Sequence, residues 1–273
     1  MVRKAAVIGS PIEHSLSPVL HNAAYAELGL DWEYTRLECS EADVPALVSS
    51  LGQEWAGLSC TMPTKRAALA FASVVTPRAT AVGAANTLVR HGSEWHADCT
   101  DVDGVVGALR EKGFSSGTHG VVLGAGGTAT AALAGFAELG ISSVSLVVRD
   151  PARAGEAVQT ASRVGVSVEV LQLSSVDLAV LAGAADVVVS TVPAEATVEL
   201  ADSLARAPYV LDVIYHPWPT PVAKAVEASG SRLATGLDML LHQAFGQFEQ
   251  FTGKPAPQEA MRAALAAELA SRS

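Results

Sequence analysis

Positive charge is scarce in this chain: lysine and arginine number 18 against 28 acidic residues, a formal net charge of −10. No basic stripe is available to neutralise phosphates, which excludes nucleic acid and membrane surfaces as main partners and leaves any anionic ligand to a local pocket. Cysteine is scarce too. Cys39, Cys60 and Cys99 are odd in number and show no Cys-x-x-Cys spacing, which argues against a disulfide framework or a metal site and for a reducing, cytoplasmic setting. Long apolar runs are missing: the apolar start stops at Gly9, Ser10 and Pro11, too early for a signal peptide, and the run over residues 178–189 is broken by Asp186, so no membrane span is expected.

What is there is apolar and small. Apolar residues, alanine prominent among them, make up 49% of the chain and charged ones 17%, and glycine adds 23 residues, as expected of a compact α/β protein. At 273 residues it can hold one large domain or two smaller ones, each with its own core. The organising stretch is residues 120–129, where an apolar strand runs into a glycine turn and then an alanine-rich helix predicted over residues 128–139. Gly124 permits a sharp turn, Gly126 lets a pyrophosphate approach the backbone, and Ala129, where a third glycine often stands, keeps helix and strand close. The helix start offers free N–H groups and a positive dipole end to an anion. A second β-branched run over residues 144–148 follows at the spacing of a βαβ unit.

Before this stretch the chain alternates predicted strands at residues 5–9, 32–38 and 56–59 with helices at 18–28, 42–51 and from Pro63, which implies a parallel-rich sheet. An extended pair at 86–90 and 94–97 leads into a helix near Asp101. After it come further strands at 119–123, 143–148, 167–171, 186–190, 208–213 and 231–234. Two α/β domains follow, with a hinge near residues 101–118. Residues 238–251 and 257–269 read as helices with no strand of their own, and so must pack back on a sheet.

Three polar clusters sit between the early strands, and each has a plain structural explanation beside a functional one. Ser17 before Pro18 is a helix start, a hydroxyl cap followed by proline, yet with Ser15 it also makes a carboxylate site at a helix N-terminus. Lys65 falls in the first turn of a helix that Pro63 opens, where the dipole disfavours a cation by roughly 0.3–1 kcal/mol. It is either a solvated surface lysine or a proton-transfer group whose pKa the dipole and partial burial lower. Asp101 either complements the dipole of the helix it precedes or serves a site, and Asn86 is either a turn residue or a ligand group.

In this order the clusters resemble the shikimate dehydrogenases nearly end to end. The matches are Ser-x-Ser-Pro (Ser15, Ser17, Pro18), Thr-x-Pro-x-Lys (Thr61, Pro63, Lys65), Gly-Ala-x-Asn-Thr (Gly83 to Thr87) and Thr-Asp-x-x-Gly (Thr100, Asp101, Gly104). They continue with Gly-Ala-Gly-Gly (Gly124 to Gly127), Asp-x-x-Tyr-x-Pro-x-x-Thr-Pro (Asp212 to Pro221) and Gly-Leu-x-Met-Leu-x-x-Gln (Gly236 to Gln243).

The resemblance implies reversible reduction of 3-dehydroshikimate to shikimate with NADPH, a step toward chorismate and the aromatic amino acids, by a monomer or homodimer in the cytoplasm. It implies an N-terminal substrate domain over residues 1–103 with 238–273, and a Rossmann-like NADP domain over 104–237. Ser15 and Ser17 would hold the substrate carboxylate, with Thr61, Asn86, Tyr215 and Gln243 completing the pocket. Lys65 would be the proton donor and acceptor, with Asp101 orienting it. Gly124, Ala125, Gly126, Gly127, Thr128, Arg149, Arg153, Thr191, Val213, Gly236 and Met239 would bind the cofactor. No metal is implied.

Three positions depart from the family's pattern. Ser59 and Cys99 stand where asparagine is common, changes that retune packing beside the substrate loop. Asp150 replaces the usual threonine between Arg149 and Arg153, either as a helix cap before Pro151 or as a carboxylate that weakens NADP preference and admits NAD. The rival readings are an NAD-dependent quinate/shikimate dehydrogenase and a catalytically silent dinucleotide sensor.

Overall fold

The structure is a computed structural model that describes residues 2–272. It falls into two compact units: everything up to Thr100 together with everything from Gln243 onward, and Asp101–His242 between them. The boundaries therefore lie at 100/101 and 242/243, where the sequence suggested 103/104 and 237/238. The second shift arises because one long helix carries both Met239 and Gln243, and a hydrophobic pattern gives no sign of where along a continuous helix a unit ends.

The first unit is built on β1 (Arg3–Gly9), α1 (Ser17–Glu27), β2 (Trp32–Glu38), α2 (Val44–Ser50), β3 (Trp55–Cys60), α3 (Lys65–Phe71), β4 (Val74–Val75), α4 (Pro77–Val82), β5 (Thr87–His91) and β6 (Glu94–Asp98). Its sheet runs β2-β1-β3-β5-β6-β4. The β1 pairings with β2 and β3 are parallel, whereas the β5/β6 hairpin pairs antiparallel with β3 and within itself. β1 is buried from Ala5 to Gly9, where it reads as an apolar run, while in β2 at the edge only Tyr34 is buried and the other residues are half-buried or exposed.

The second unit holds α5 (Asp101–Glu111), β7 (His119–Leu123), α6 (Gly127–Glu138), β8 (Ser143–Val148), α7 (Gly155–Val164), β9 (Ser167–Gln172), α8 (Leu178–Ala184), β10 (Val187–Ser190), α9 (Ala201–Leu204), β11 (Tyr209–Asp212), α10 (Pro221–Ser229) and β12 (Arg232–Thr235). Its sheet is parallel throughout and ordered β12-β11-β10-β7-β8-β9, the doubly wound arrangement with its switch point between β7 and β10. Such strands are covered on both faces, which is why β10 reads Val-Val-Val-Ser and is buried throughout. α6 is buried from Ala129 to Phe136, and Gly120 leaves room for the Phe136 ring, since a Cβ there would come within 2.5 Å of it.

The last helices are α11 (Gly236–Thr252) and α12 (Gln258–Arg272). From Gln243 on they belong to the first unit, where α12 packs on α1 and Phe251 fills the space over Gly57. The expected return of the C-terminal helices to the first sheet is what the chain does.

Candidate active site

In the second unit the site lies at the carboxyl ends of the strands beside the switch point, where doubly wound sheets bind ligands. β7 ends in a turn whose Gly124 has φ of +100°, a conformation that L side chains rarely adopt, and a Cβ there would come within 2.5 Å of Thr191 Oγ1. Thr191 is tied to the same strand end, its hydroxyl donating to Leu123 O at 2.8 Å. Gly126 and Gly127 face open space at the start of α6. A cleft of about 500 Å³ opens here, lined by Gly124, Ala125, Gly126, Arg149, Arg153 and Thr191 among others.

Gly127 and Thr128 stand just above it, in the first turn of α6. Val213 and Gly236 do not line this cleft but meet each other: a side chain on Gly236 would collide with the Val213 carbonyl and come within 2.8 Å of Tyr215. Met239 lies further along α11 and is buried. Sequence reasoning missed Val192, Pro193, Ala196 and Leu200, which also line the cleft. Their signal was positional, since they follow the buried strand β10 directly.

The two arginines are exposed, and neither guanidinium has a hydrogen-bond or ion-pair partner among the described residues. Asp150 does have a use: its Oδ1 accepts from Ala152 N at 3.0 Å and caps the short 3-10 turn Pro151–Ala154. Further along, Asp212 ends β11 buried, accepting from the Thr220 hydroxyl at 2.6 Å, while Thr220 caps α10 by accepting from Ala223 N at 3.0 Å. Burial pushes the Asp212 carboxyl above the usual range, with Thr220 opposing it. This pair fastens both ends of the loop that carries Val213 and Tyr215.

In the first unit the structure brings Asn86 and Gln243 together. Asn86 Nδ2 donates to Gln243 Oε1 at 3.2 Å and to Thr100 Oγ1 at 2.9 Å, and its Oδ1 accepts from Thr100 N at 2.7 Å and from Thr87 Oγ1 at 2.8 Å. Asn86 is thus a buried hydrogen-bonding centre rather than a turn residue. Thr61 follows β3, its N–H donating to Ile8 O at 2.9 Å, and Lys65 is the first residue of α3, half-buried.

Two local expectations fail. Ser17 is not a cap: α1 starts at Ser17 itself, Leu16 stands at the cap position without a side-chain bond, and Ser15 Oγ accepts from Ser17 N at 3.4 Å. Pro63 does not open α3: residues 61–64 form a turn, Thr64 N donating to Thr61 O at 2.8 Å, that delivers the chain to Lys65. Arg36, which sequence reasoning passed over, anchors the serine loop by donating from Nη2 and Nε to Ser15 O at 2.6 and 3.1 Å. Asp101 is buried at the start of α5, sharing its first turn with Asp103.

Two buried titratable groups flank this unit's polar core. Burial alone would raise the Asp98 carboxyl, but bonds from Arg78 and Thr76 outweigh it and hold the pKa at about 2. His21 is enclosed, stacked on Tyr34 at 4.2 Å between centroids, with neither ring nitrogen in a well-formed hydrogen bond. Burial drives its pKa down to about 3, and the nearby Gln247 side chain offsets this only partly.

Similarity to known proteins agrees with this geometry. Residues 7–88 match the shikimate dehydrogenase substrate binding domain and residues 236–266 match the shikimate 5'-dehydrogenase C-terminal domain. A relative from Halobacterium salinarum named shikimate dehydrogenase (NADP(+)) is 39% identical, covering 96% of this chain and 98% of its own. The crystal structure of Mycobacterium tuberculosis shikimate dehydrogenase superposes with a TM-score of 0.92 at 53% identity, over 97% of this chain and 99% of that one. A quinate dehydrogenase from Corynebacterium glutamicum in complex with NAD superposes at 0.86 with 26% identity, over 97% and 99%. With full-length relatives well above the identity at which family membership is secure, the chain belongs to the shikimate dehydrogenase family.

Proposed function

We propose that this chain is an NADP-dependent shikimate dehydrogenase, interconverting 3-dehydroshikimate and shikimate on the way to chorismate and the aromatic amino acids. The observation that carries the reading is a glycine turn at a doubly wound switch point with two unpaired guanidinium groups beside it, on a chain whose other unit matches a shikimate dehydrogenase substrate domain. The turn and the start of α6 suit a pyrophosphate, and the free forks of Arg149 and Arg153 suit a 2′-phosphate, so the residues present fit NADP. Three buried cysteines, none in a disulfide, suit the reducing cytoplasm in which this reading places the enzyme.

NADPH, when bound, supplies the hydride. Ser15 and Ser17 hold the substrate carboxylate, and Thr61, Asn86, Tyr215 and Gln243 hold its hydroxyls. As the ketone is reduced, negative charge grows on its oxygen; the Lys65 ammonium stabilises that charge and hands over a proton from Nζ. In the oxidising direction the neutral amine takes the proton back. Asp101 orients the lysine and a substrate hydroxyl. Nothing in a silent dinucleotide sensor requires this lysine–carboxylate pair.

The test is oxidation of shikimate and of quinate, each with NADP and with NAD, followed by the absorbance of the reduced nicotinamide. Turnover of shikimate with NADP is expected. The alternative, a quinate/shikimate dehydrogenase, rests on Asp150 lining the cleft, and comparable or better rates with NAD, above all on quinate, would hand the assignment to it.

A further inference from the structure

Behind Asn86 lies a second layer of buried polar side chains that the proposed chemistry does not use. Tyr34 on β2 donates from its hydroxyl to Ser59 Oγ at 2.5 Å, and Ser59 on β3 donates to Gln247 Oε1 at 2.6 Å. Gln247, one helical turn beyond Gln243 on α11, then donates from Nε2 to Asn86 O at 2.9 Å and to Thr87 Oγ1 at 3.1 Å. Tyr34, Ser59, Thr87 and Gln247 are all at most 4% exposed, so water is not a ready substitute for any of these partners.

Each link runs in only one direction. An amide oxygen only accepts and an amide nitrogen only donates. Ser59 has one proton and spends it on Gln247 Oε1, so it must accept from Tyr34. Gln247 Nε2 points its donors at Asn86 O and Thr87 Oγ1; Thr87, accepting there, gives its proton to Asn86 Oδ1 at 2.8 Å. The Thr100 N–H, at 2.7 Å, makes Asn86 Oδ1 the acceptor end of its amide, and the Thr87 proton agrees with it, which turns Nδ2 toward Gln243 Oε1 and sets the Gln243 nitrogen the other way. We propose that Tyr34, Ser59 and Gln247 are positioning residues that hold Asn86 by its backbone carbonyl and its Thr87 neighbour and, through the Asn86 amide, hold Gln243, and so keep in place the donors and acceptors the pocket presents to the substrate hydroxyls.

Ser59 is therefore more than a packing change from asparagine: it is the hinge of the relay. An apolar filler would suffice if the layer only completed the core. Three buried polar groups with matched polarity cost desolvation that orientation of the outer amides explains.

The inference rests on the reading of Asn86 and Gln243 as substrate ligands, and the experiment separates the two. Steady-state kinetics on shikimate and NADP are measured for Ser59→Ala, Ser59→Thr, Tyr34→Phe, Gln247→Met and Asn86→Ala, with melting temperatures. Ser59→Ala and Gln247→Met are expected to raise the KM for shikimate about tenfold with the KM for NADP unchanged, and Ser59→Thr, which keeps the hydroxyl, to stay within about threefold of wild type. The double variant Ser59→Ala/Gln247→Met is expected to be no worse than Gln247→Met alone, because both break the same relay. If Asn86→Ala raises the shikimate KM while Ser59→Ala and Tyr34→Phe, both folded, change only the melting temperature, the relay is structural and the inference falls. If Asn86→Ala is itself silent, the substrate reading fails and takes the inference with it.

Discussion

The two units are built by opposite means for the small molecules proposed for them. Around Asn86 the first unit uses buried side chains that orient one another: amides, hydroxyls and, a strand away, the Asp98 carboxylate held by Arg78 and Gln250. Around Gly124 the second unit uses backbone, an apolar parallel sheet that delivers a positive-φ turn and a helix start, with Arg149, Asp150, Arg153 and Thr191 adding side-chain chemistry. A ring with several hydroxyls must be read group by group, which requires fixed donors and acceptors. A pyrophosphate needs only a row of N–H groups and room. The first unit is thus vulnerable to loss of a polar atom, the second to gain of a Cβ.

The sharpest break of this contrast is at the reacting group. Lys65→Ala is expected to lower kcat about a thousandfold, within the range of lost acid–base catalysis, with NADP binding unchanged by titration. Full turnover in that variant would remove Lys65 from the mechanism. In the second unit, Gly124→Val adds a branched side chain at φ of +100° and drives it into Thr191. NADP affinity is expected to fall about a hundredfold, as the strained turn shifts, with shikimate binding retained. The double variant Arg149→Ala/Arg153→Ala, leaving the turn intact, is expected to raise the KM for NADP about tenfold and to leave that for NAD alone.

Much of the second unit was legible because its determinants are local. Strand, Gly124 turn and α6 are contiguous, and β10 announces itself by three valines in a row. α4 was legible in principle yet missed: Thr76 caps it, Pro77 opens it and Gly83 closes it at φ of +77°, a full set of start and stop signals in a short stretch. The layer behind Asn86 was not legible, because Tyr34, Ser59 and Gln247 meet across 25 and 188 residues of sequence and each alone looks like ordinary core filling. The cap assigned to Ser17 failed for a local reason: the helix begins one residue early, and Ser15 takes the bond instead.

The contrast extends to acid. His21 binds its proton at about 3 when folded but near the ordinary 6.5 when unfolded. Its folded pKa is depressed, so stability is full above 6.5 and falls as pH drops through the window from 6.5 to 3, by about 1.4 kcal/mol per pH unit at most. Asp98 adds stability that is present above its unfolded pKa and is lost only as pH falls through about 2. Acid unfolding is therefore expected to begin in the first unit. Denaturant melts of wild type and His21→Phe between pH 7 and 4 check this: the variant should lose the slope, and an equal slope in both would clear His21 of the effect.

The smallest effect is expected at Asp150, and it decides how far the backbone rule holds. Its Oδ1 is engaged by Ala152 N at 3.0 Å, in the same turn that carries Arg153. A carboxylate so engaged has a structural use within its own turn. Asp150→Thr, restoring the residue usual in the family and keeping a capping oxygen, is expected to change the ratio of NADP to NAD specificity less than about threefold, the difference between two adequate caps. A rise of tenfold or more on removing the carboxylate would mean that Asp150 repels the 2′-phosphate. The cofactor preference of this unit would then be set by side-chain charge, as the proposed substrate recognition in the first unit would be set by side-chain polarity.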